Sequence, residues 1–335
     1  MHQSCAVTGT RKMGQIRNKR FEIRIGPVRI HAIESQTWEA QVLFNRTNKL
    51  SRRDFLKLSL AASGGLALAG GGYAGLVEPR WVEFTSQNLP IRNLPDNLIG
   101  AALVQISDMH IGNRYNREYQ ISALEKARAL EPDFVTYTGD FISYETDRQI
   151  DQLYEVFAYA PRGTYGTVAI LGNHDYGHHW QMPEVARSVV EVLGHYDIPV
   201  LRNERISLSG LDIIGLDDYW ATNYDPEPVL NSIDGKRPSI VLCHNPDVVD
   251  QPVWAGYKGW ILSGHTHGGQ VKPPFLPPPM LPVRNTTYTS GAFDLGDGRN
   301  LYINRALGNL WPVRFNVRPE ITVYTLSNTS ALILS

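Results

Sequence analysis

The sequence predicts an α/β protein, and three observations carry the prediction. Short apolar runs rich in β-branched residues recur between residues 99 and 265, each is bounded by Gly, Asp or Pro, and helical-looking segments lie between the first of them, at 118–130, 147–159 and 183–195. Runs of this kind read as strands buried on both faces, and helices between such strands cover a largely parallel sheet. At 335 residues, with 42% apolar and 19% charged content, the chain can bury a sizeable core. Disorder throughout is excluded.

Residues 1–50 hold no apolar run and no clear periodicity, and read as an N-terminal extension that supports no fold argument. They read either as a long basic lead-in or as sequence ahead of a later start, at Met13 or near Leu50. "SRRDFLKLSLAASGGLALAGGGYAGL" follows at 51–76, an arginine pair and then a long uncharged run of Ala, Gly and Leu. Its six glycines would each cost about 1 kcal/mol against alanine inside a helix, which argues against an ordinary buried helix. From Ser51 to Lys57 the stretch resembles the twin-arginine (Tat) export signal at every fixed position. That resemblance implies the Tat translocase as a partner and a body delivered to the periplasm or the outer face of the cytoplasmic membrane. Ala67-Leu68-Ala69 suits a signal peptidase; uncleaved, residues 51–77 would remain as a membrane anchor. Residues 78–98 are expected to be a linker and 99–335 a single domain.

Within that domain one pattern repeats: an apolar run ends abruptly in polar residues able to bind a metal. "IGAALVQIS" ends in Asp108-Met109-His110, "DFVTYTG" in Asp140, and "GTVAIL" in Gly172-Asn173-His174-Asp175. "LDIIGL" ends in Asp217-Asp218, "SIVLC" in His244-Asn245-Pro246, and "GWILSG" in His265-Thr266-His267. Polar clusters at strand C-termini mark the place where an α/β crevice forms. The final stretch, "LYINRALGNLWPVRFNVRPEITVYTLS", alternates and is expected to close a sheet edge; "KPPFLPPPMLP", at 272–282, must be a loop.

The net charge of −1 hides an asymmetry. Residues 1–69 hold 12 Lys and Arg against 4 Asp and Glu, and the remainder holds 20 against 29. An acidic body argues against general binding to nucleic acid, which depends on basic residues neutralising the phosphate backbone, so no nucleic-acid partner is expected. Cys5 and Cys243 make a poor disulfide pair, one lying in the basic leader and one in an apolar run.

Five of the ten histidines, His110, His174, His244, His265 and His267, fall at these strand ends with Asp108, Asp140 and Asn173. Mixed imidazole and carboxylate donors suit Mn, Fe or Zn rather than an all-oxygen Ca or Mg site or a thiolate zinc site. In Asp108-x-His110 and His265-x-His267, residues two apart point the same way if the backbone is extended.

In order and spacing, Asp108-x-His110, Gly139-Asp140, Gly172-Asn173-His174-Asp175, His244 and Gly264-His265-x-His267 resemble the calcineurin-like metallophosphoesterase family. "SDMHIG", "LRNERI", "GLDDYW", "CHNPDV", "SGHTHGGQVKPPF" and "RPEITVYTL" are similar to its YaeI/YkuE-like phosphodiesterase branch, over roughly residues 99–326. The resemblance implies a four-layer α/β/β/α sandwich and two divalent metal ions. One would take Asp108, His110 and His267, the other Asn173, His244 and His265, with Asp140 bridging. It also implies a catalytic His174 that stabilises the transition state or protonates the leaving oxygen, with Asp175 holding its tautomer.

His178 and His179 match no ligand position and read as a solvated rim or as substrate contacts; Arg305 reads as a phosphate clamp or a surface arginine. Asp217 and Asp218 either line the site or form an acidic turn. Phe275, Leu276, Met280 and Leu281 stand among prolines just past the ligands, either as a stiff loop or as an apolar lip that touches a membrane surface. The wider group includes hydrolases of nucleotide-linked lipids such as UDP-diacylglucosamine, which implies a small-molecule or lipid phosphodiester substrate. A metal-binding envelope protein without turnover and a protein phosphatase are the competing readings.

Overall fold

β-branched runs bounded by Gly and Asp build two sheets in the computed structural model, which describes residues 51–112, 114 and 116–329. The expectations for residues 1–50, Cys5 included, lie outside the described residues. The chain divides into two units at Leu60. In the first, Ser51 caps helix α1 (Arg52–Gly72): its hydroxyl accepts the Asp54 N–H at 3.1 Å. In the second, α1 continues to Gly72, and no side chain of the helix is buried. The glycine-rich run is thus helical without being a core helix. Among the described residues it begins the one helix, 52–80, long and apolar enough to cross a membrane.

Two short turns, Tyr73–Val77 and Glu78–Arg80, then bring the chain onto the body. Ala74, Glu78 and Pro79 are buried there; Arg314 donates its N–H to Ala74 O at 2.9 Å, and Val317 donates its N–H to Glu78 Oε1 at 2.6 Å. Strand β1 (Glu83–Ile91) follows and pairs with β11 (Glu320–Asn328) along its whole length. Residues 78–98 are therefore not a linker. Their mixed polar pattern hid a strand because one side of β1 has no partner strand among the described residues and tolerates polar residues.

The first sheet has the order β1-β11-β2-β3-β4, with β2 (Ala102–Ile106), β3 (Phe134–Thr138) and β4 (Gly166–Ile170) parallel to one another. Helices α2 (Arg117–Arg128), α3 (Arg148–Phe157) and α4 (Pro183–His195) cover its outer face through Leu124, Phe157 and Val189. The second sheet runs β5 (Glu204–Leu208), β6 (Leu211–Gly215), β7 (Ser239–Leu242), β8 (Trp260–Ser263), β10 (Asn300–Ile303), β9 (Gly291–Asp294), with β6, β7, β8 and β10 parallel. Between the sheets, Leu103, Phe134 and Ile170 meet Ile213, Leu242 and Tyr302. The outer face of the second sheet is covered thinly, by α5 (Glu227–Asn231) and by Val248, Trp254 and Tyr257. This is the expected four-layer sandwich.

The C-terminal alternating stretch does not close a sheet edge. Its two strands belong to different sheets, and β11 lies inside the first, between β1 and β2. Buried Gln105 joins the sheets beneath the strand ends: its Nε2 donates to Thr138 Oγ1 and to Ser263 O, both at 3.0 Å, and its Oε1 accepts Tyr324 OH at 2.6 Å.

Candidate metal centre

Parallel strands of both sheets deliver their C-termini to one crevice. Asp108 follows β2 by two residues, Asp140 follows β3 by two, Asn173 follows β4 by three, and His244 and His265 follow β7 and β8 by two. All seven expected ligands are at least 96% buried, and three overlapping groups each hold their ligand atoms within 4.8 Å: Asp108, His110 and His267; His110, Asp140 and His174; Asp140, His244 and His265. His110 Nε2 lies 2.9 Å from His267 Nε2, and His267 Nε2 lies 3.2 Å from Asp108 Oδ1. Asp140 Oδ2 stands between the two halves, 3.5 Å from His110 Nε2 and 3.2 Å from His244 Nε2.

The outer nitrogens fix how the rings are used. His110 Nδ1 pairs with Ser143 Oγ at 2.9 Å, His244 Nδ1 donates to Thr138 O at 2.7 Å, and His265 Nε2 donates to Pro282 O at 2.8 Å. His110 and His244 thus turn Nε2 into the crevice, whereas His265 offers Nδ1, 3.2 Å from His244 Nε2. The aspartates are held likewise. Asp140 Oδ1 accepts the His174 N–H at 2.9 Å, leaving Oδ2 for the centre, and Asp108 accepts the His265 N–H at 3.0 Å.

The backbone here is not extended. Asp108, His110, Asp140, His265 and His267 all adopt left-handed φ, between 48° and 70°. The side chains converge because each strand end turns sharply, not because alternate residues of a strand share a face. Such strain persists where the surroundings over-determine it. Two glycines make room for the turns: a Cβ on Gly172 would lie 2.3 Å from Asp140 Oδ1, and one on Gly264 would lie 2.2 Å from Asp108 Oδ2.

Burial alone would raise the Asp108 carboxyl, but the imidazoles of His244 and His267 outweigh it and hold the group at about 2. Burial pushes His265 down to about 3 and His110 well below its usual range. Burial also opposes charge on His244, yet Asp140 and Asp108 outweigh it and raise the ring well above its ordinary value. Two buried carboxylates set among imidazoles in one crevice form a site for cations. Asn173 agrees: it is 1% exposed, and neither its amide oxygen nor its nitrogen has a hydrogen-bond partner among the described residues. A cation on Asn173 Oδ1 would satisfy that orphaned acceptor, and the nitrogen and oxygen donor set fits Mn, Fe or Zn.

His174 is half-buried with its ring 4.9 Å from His110. It lines a cavity of 200 Å³ with His110, Arg114, Tyr144 and Asn309. Asp175 does not hold it. The Asp175 carboxylate is wholly buried and accepts four backbone N–H groups: Asp140 and Gly172 on Oδ2, both at 2.9 Å, and Phe141 and Ile142 on Oδ1, at 2.8 and 3.2 Å. It fixes the turns that carry Asp140 and Asn173, because buried N–H groups at a chain reversal need an acceptor.

The remaining expectations divide. His178 and His179 stand exposed outside the ligand groups, His178 packing edge-on against Tyr144 at 5.7 Å. Arg305 is not free to clamp phosphate: its guanidinium binds Glu320 at 3.0 Å and Glu83 at 2.9 Å. Asp217 is a structural hub for Tyr176, Arg202 and Asn223. Asp218 is buried beside the ligands, and burial pushes its carboxyl up to about 7. Sequence reasoning missed Arg114 and Asn309 at the cavity, and Trp220, whose ring meets His265 at 4.5 Å and stacks on Trp180 at 4.8 Å. It also missed Arg314, fully buried, which donates to the carbonyls of Arg305, Ala306, Gly308 and Val317. Arg114 follows the His110 motif closely enough to have drawn attention; the others carry no local signal.

Two parallel-rich sheets with a buried His/Asp crevice at their C-terminal ends define a metal-dependent phosphohydrolase. Residues 102–269 match the calcineurin-like phosphoesterase family, to which this chain belongs. The chain is 34% identical to the uncharacterized metallophosphoesterase YkuE of Bacillus subtilis over 295 residues, 84% of this chain and 99% of the relative. It is 30% identical to the phosphodiesterase YaeI of Escherichia coli over 297 residues, 83% and 99% of the two chains. It is 25% identical to the UDP-2,3-diacylglucosamine pyrophosphatase LpxG of Chlamydia muridarum over 302 residues, 75% and 91%.

Proposed function

We propose that the chain is a binuclear phosphodiesterase or pyrophosphatase of the cell envelope, acting on lipid-linked phosphate esters and exported by the Tat route. The observation that carries the reading is Asp140, whose Oδ2 faces both His110 and His244 while Oδ1 is held by the His174 N–H. One carboxylate oxygen shared between two groups of imidazoles is what a pair of cations needs. Asp108, His110 and His267 would hold one and Asn173, His244 and His265 the other. Divalent cations held by these residues would supply charge neutralisation of the phosphate and a water acidified toward neutral pH.

The chain's own residues do the rest. The aspartates are fixed by backbone N–H groups, and His110, His244 and His265 by their outer nitrogens, so these donors are preorganised. His174 opens onto the cavity, which supports a role for it in protonating a leaving oxygen, a step that matters most for an alkyl leaving group. The names of the YaeI and LpxG relatives favour diester or pyrophosphate cleavage over a protein phosphatase. Ser51–Lys57 and the exposed apolar helix α1 support export or anchoring.

The test is hydrolysis of bis-p-nitrophenyl phosphate against p-nitrophenyl phosphate by the full chain, with and without Mn, and by His174→Ala. Expected are Mn-dependent turnover favouring the diester and a loss of about 10²-fold or more in the variant. Tight metal binding without turnover of either ester would instead mark a metal-binding protein.

A further inference from the structure

Resting on the phosphoesterase reading, we infer that the substrate is an amphiphile whose acyl chain lies in an apolar groove that begins at His267. The groove has a volume of 810 Å³ and is walled by His267, Val271, Met280, Leu281, Trp311 and Val313. One wall is thus a residue of the His/Asp crevice, so an occupant continues directly from a phosphate held there. On the far side of Leu310, which lines both spaces, lies the cavity of His110, His174 and Arg114. The crevice opens onto two limbs of opposite character, parted by residues 309–311. Arg114 marks the division: its guanidinium stacks 4.1 Å over the Trp311 ring and donates to Leu310 O at 3.3 Å.

A fully water-soluble ester would leave the second limb idle, and the chain exposes that limb at a cost in apolar surface. Met280 is 74% exposed, and Phe275 and Leu276 extend the apolar surface along the same Pro-rich loop. The loop is held at both ends, by the Lys272 N–H on Phe315 O at 2.9 Å and by the Arg284 N–H on Asp247 Oδ2 at 2.7 Å. The groove is therefore a built feature. Its lipid source follows from the segment fastened beside it. Residues 73–80, which continue α1, are tied to Arg314 and Val317, and Arg314 directly follows the groove residue Val313. The end of the one span among the described residues that is long and apolar enough for a membrane is thereby attached to the groove's own wall, which would bring lipid of a bilayer near the crevice.

The test uses the full chain in phosphatidylcholine nanodiscs with Mn, and methyl, hexyl and dodecyl p-nitrophenyl phosphates as substrates. Transfer of each methylene into an apolar site favours binding about fourfold, so kcat/KM should rise at least about tenfold from methyl to dodecyl. In Met280→Glu/Val313→Glu the dodecyl-to-methyl ratio should fall toward one. A ratio near one in the native chain, or one unchanged in the variant, overturns the groove. Hydrolysis of none of the esters would sink the phosphoesterase reading instead, and the groove is then decided by binding alone. Dodecyl phosphate brominated along its chain should quench tryptophan fluorescence more in the native chain than in Trp311→Phe; equal quenching overturns the inference.

Discussion

Asp175 illustrates how a residue can stand in a catalytic motif and do something else. Four backbone N–H groups converge on it, so Asp175→Ala orphans all four and should cost about 3 kcal/mol in urea denaturation, with loss of bound metal. His174→Ala should leave stability within about 0.5 kcal/mol and remove only turnover. A fall in activity without a fall in stability for Asp175→Ala would return it to His174. Arg305 is decided in the same way. Arg305→Met leaves buried Glu320 without its guanidinium and should lower stability by about 3 kcal/mol, while kcat/KM changes by less than about threefold. The seven residues that gather at the crevice were legible in the sequence, because their residue types sit where apolar runs end. Their left-handed φ angles were not, since nothing in a single strand end announces the turn that its neighbours impose.

At the scale of elements, β1 and β11 show what periodicity reads and what it leaves out. The internal strands β2, β3, β4, β7 and β8 were legible as apolar runs, because burial on both faces favours apolar residues along most of each strand. β1 was not, and β11 was misplaced, since pairing partners more than two hundred residues apart leave no local trace. Glu320 joins them to the body. Burial alone would raise its carboxyl, but Arg305 outweighs this and holds it below its ordinary 4.5. A carboxyl depressed in the fold adds stability that is fully present above the unfolded value and is lost as pH falls through the folded one. The stability difference between the native chain and Glu320→Gln should thus be constant above about pH 5 and shrink below 4.5 in urea titrations. A difference that grows on acidification would reverse the assignment.

For the whole molecule, the N-terminal segment and the metal centre set the measurable stability. A chain beginning at Tyr73 keeps Ala74, Glu78 and Pro79 on the body; one beginning at Val82 exposes Arg314 and Val317 and should be less stable by about 2 to 4 kcal/mol. Equal melting temperatures for the two would show that the docking is idle. Chelation should lower the melting temperature and restored Mn should raise it, by an amount equivalent to about 4 kcal/mol when Mn exceeds its Kd a thousandfold. The sequence by itself determined the α/β layering, the strand ends and the identity of the residues that meet there. Those properties depend on periodicity and side-chain chemistry, which are written locally. Only the tertiary structure decided which oxygen of Asp140 faces the centre, that Asp175 and Arg305 hold backbone and strands, and that the crevice opens onto an apolar groove. Each depends on contacts between distant segments, as when Gln105 reaches Ser263 O across the two sheets, and such contacts arise only when both sheets close on a common core.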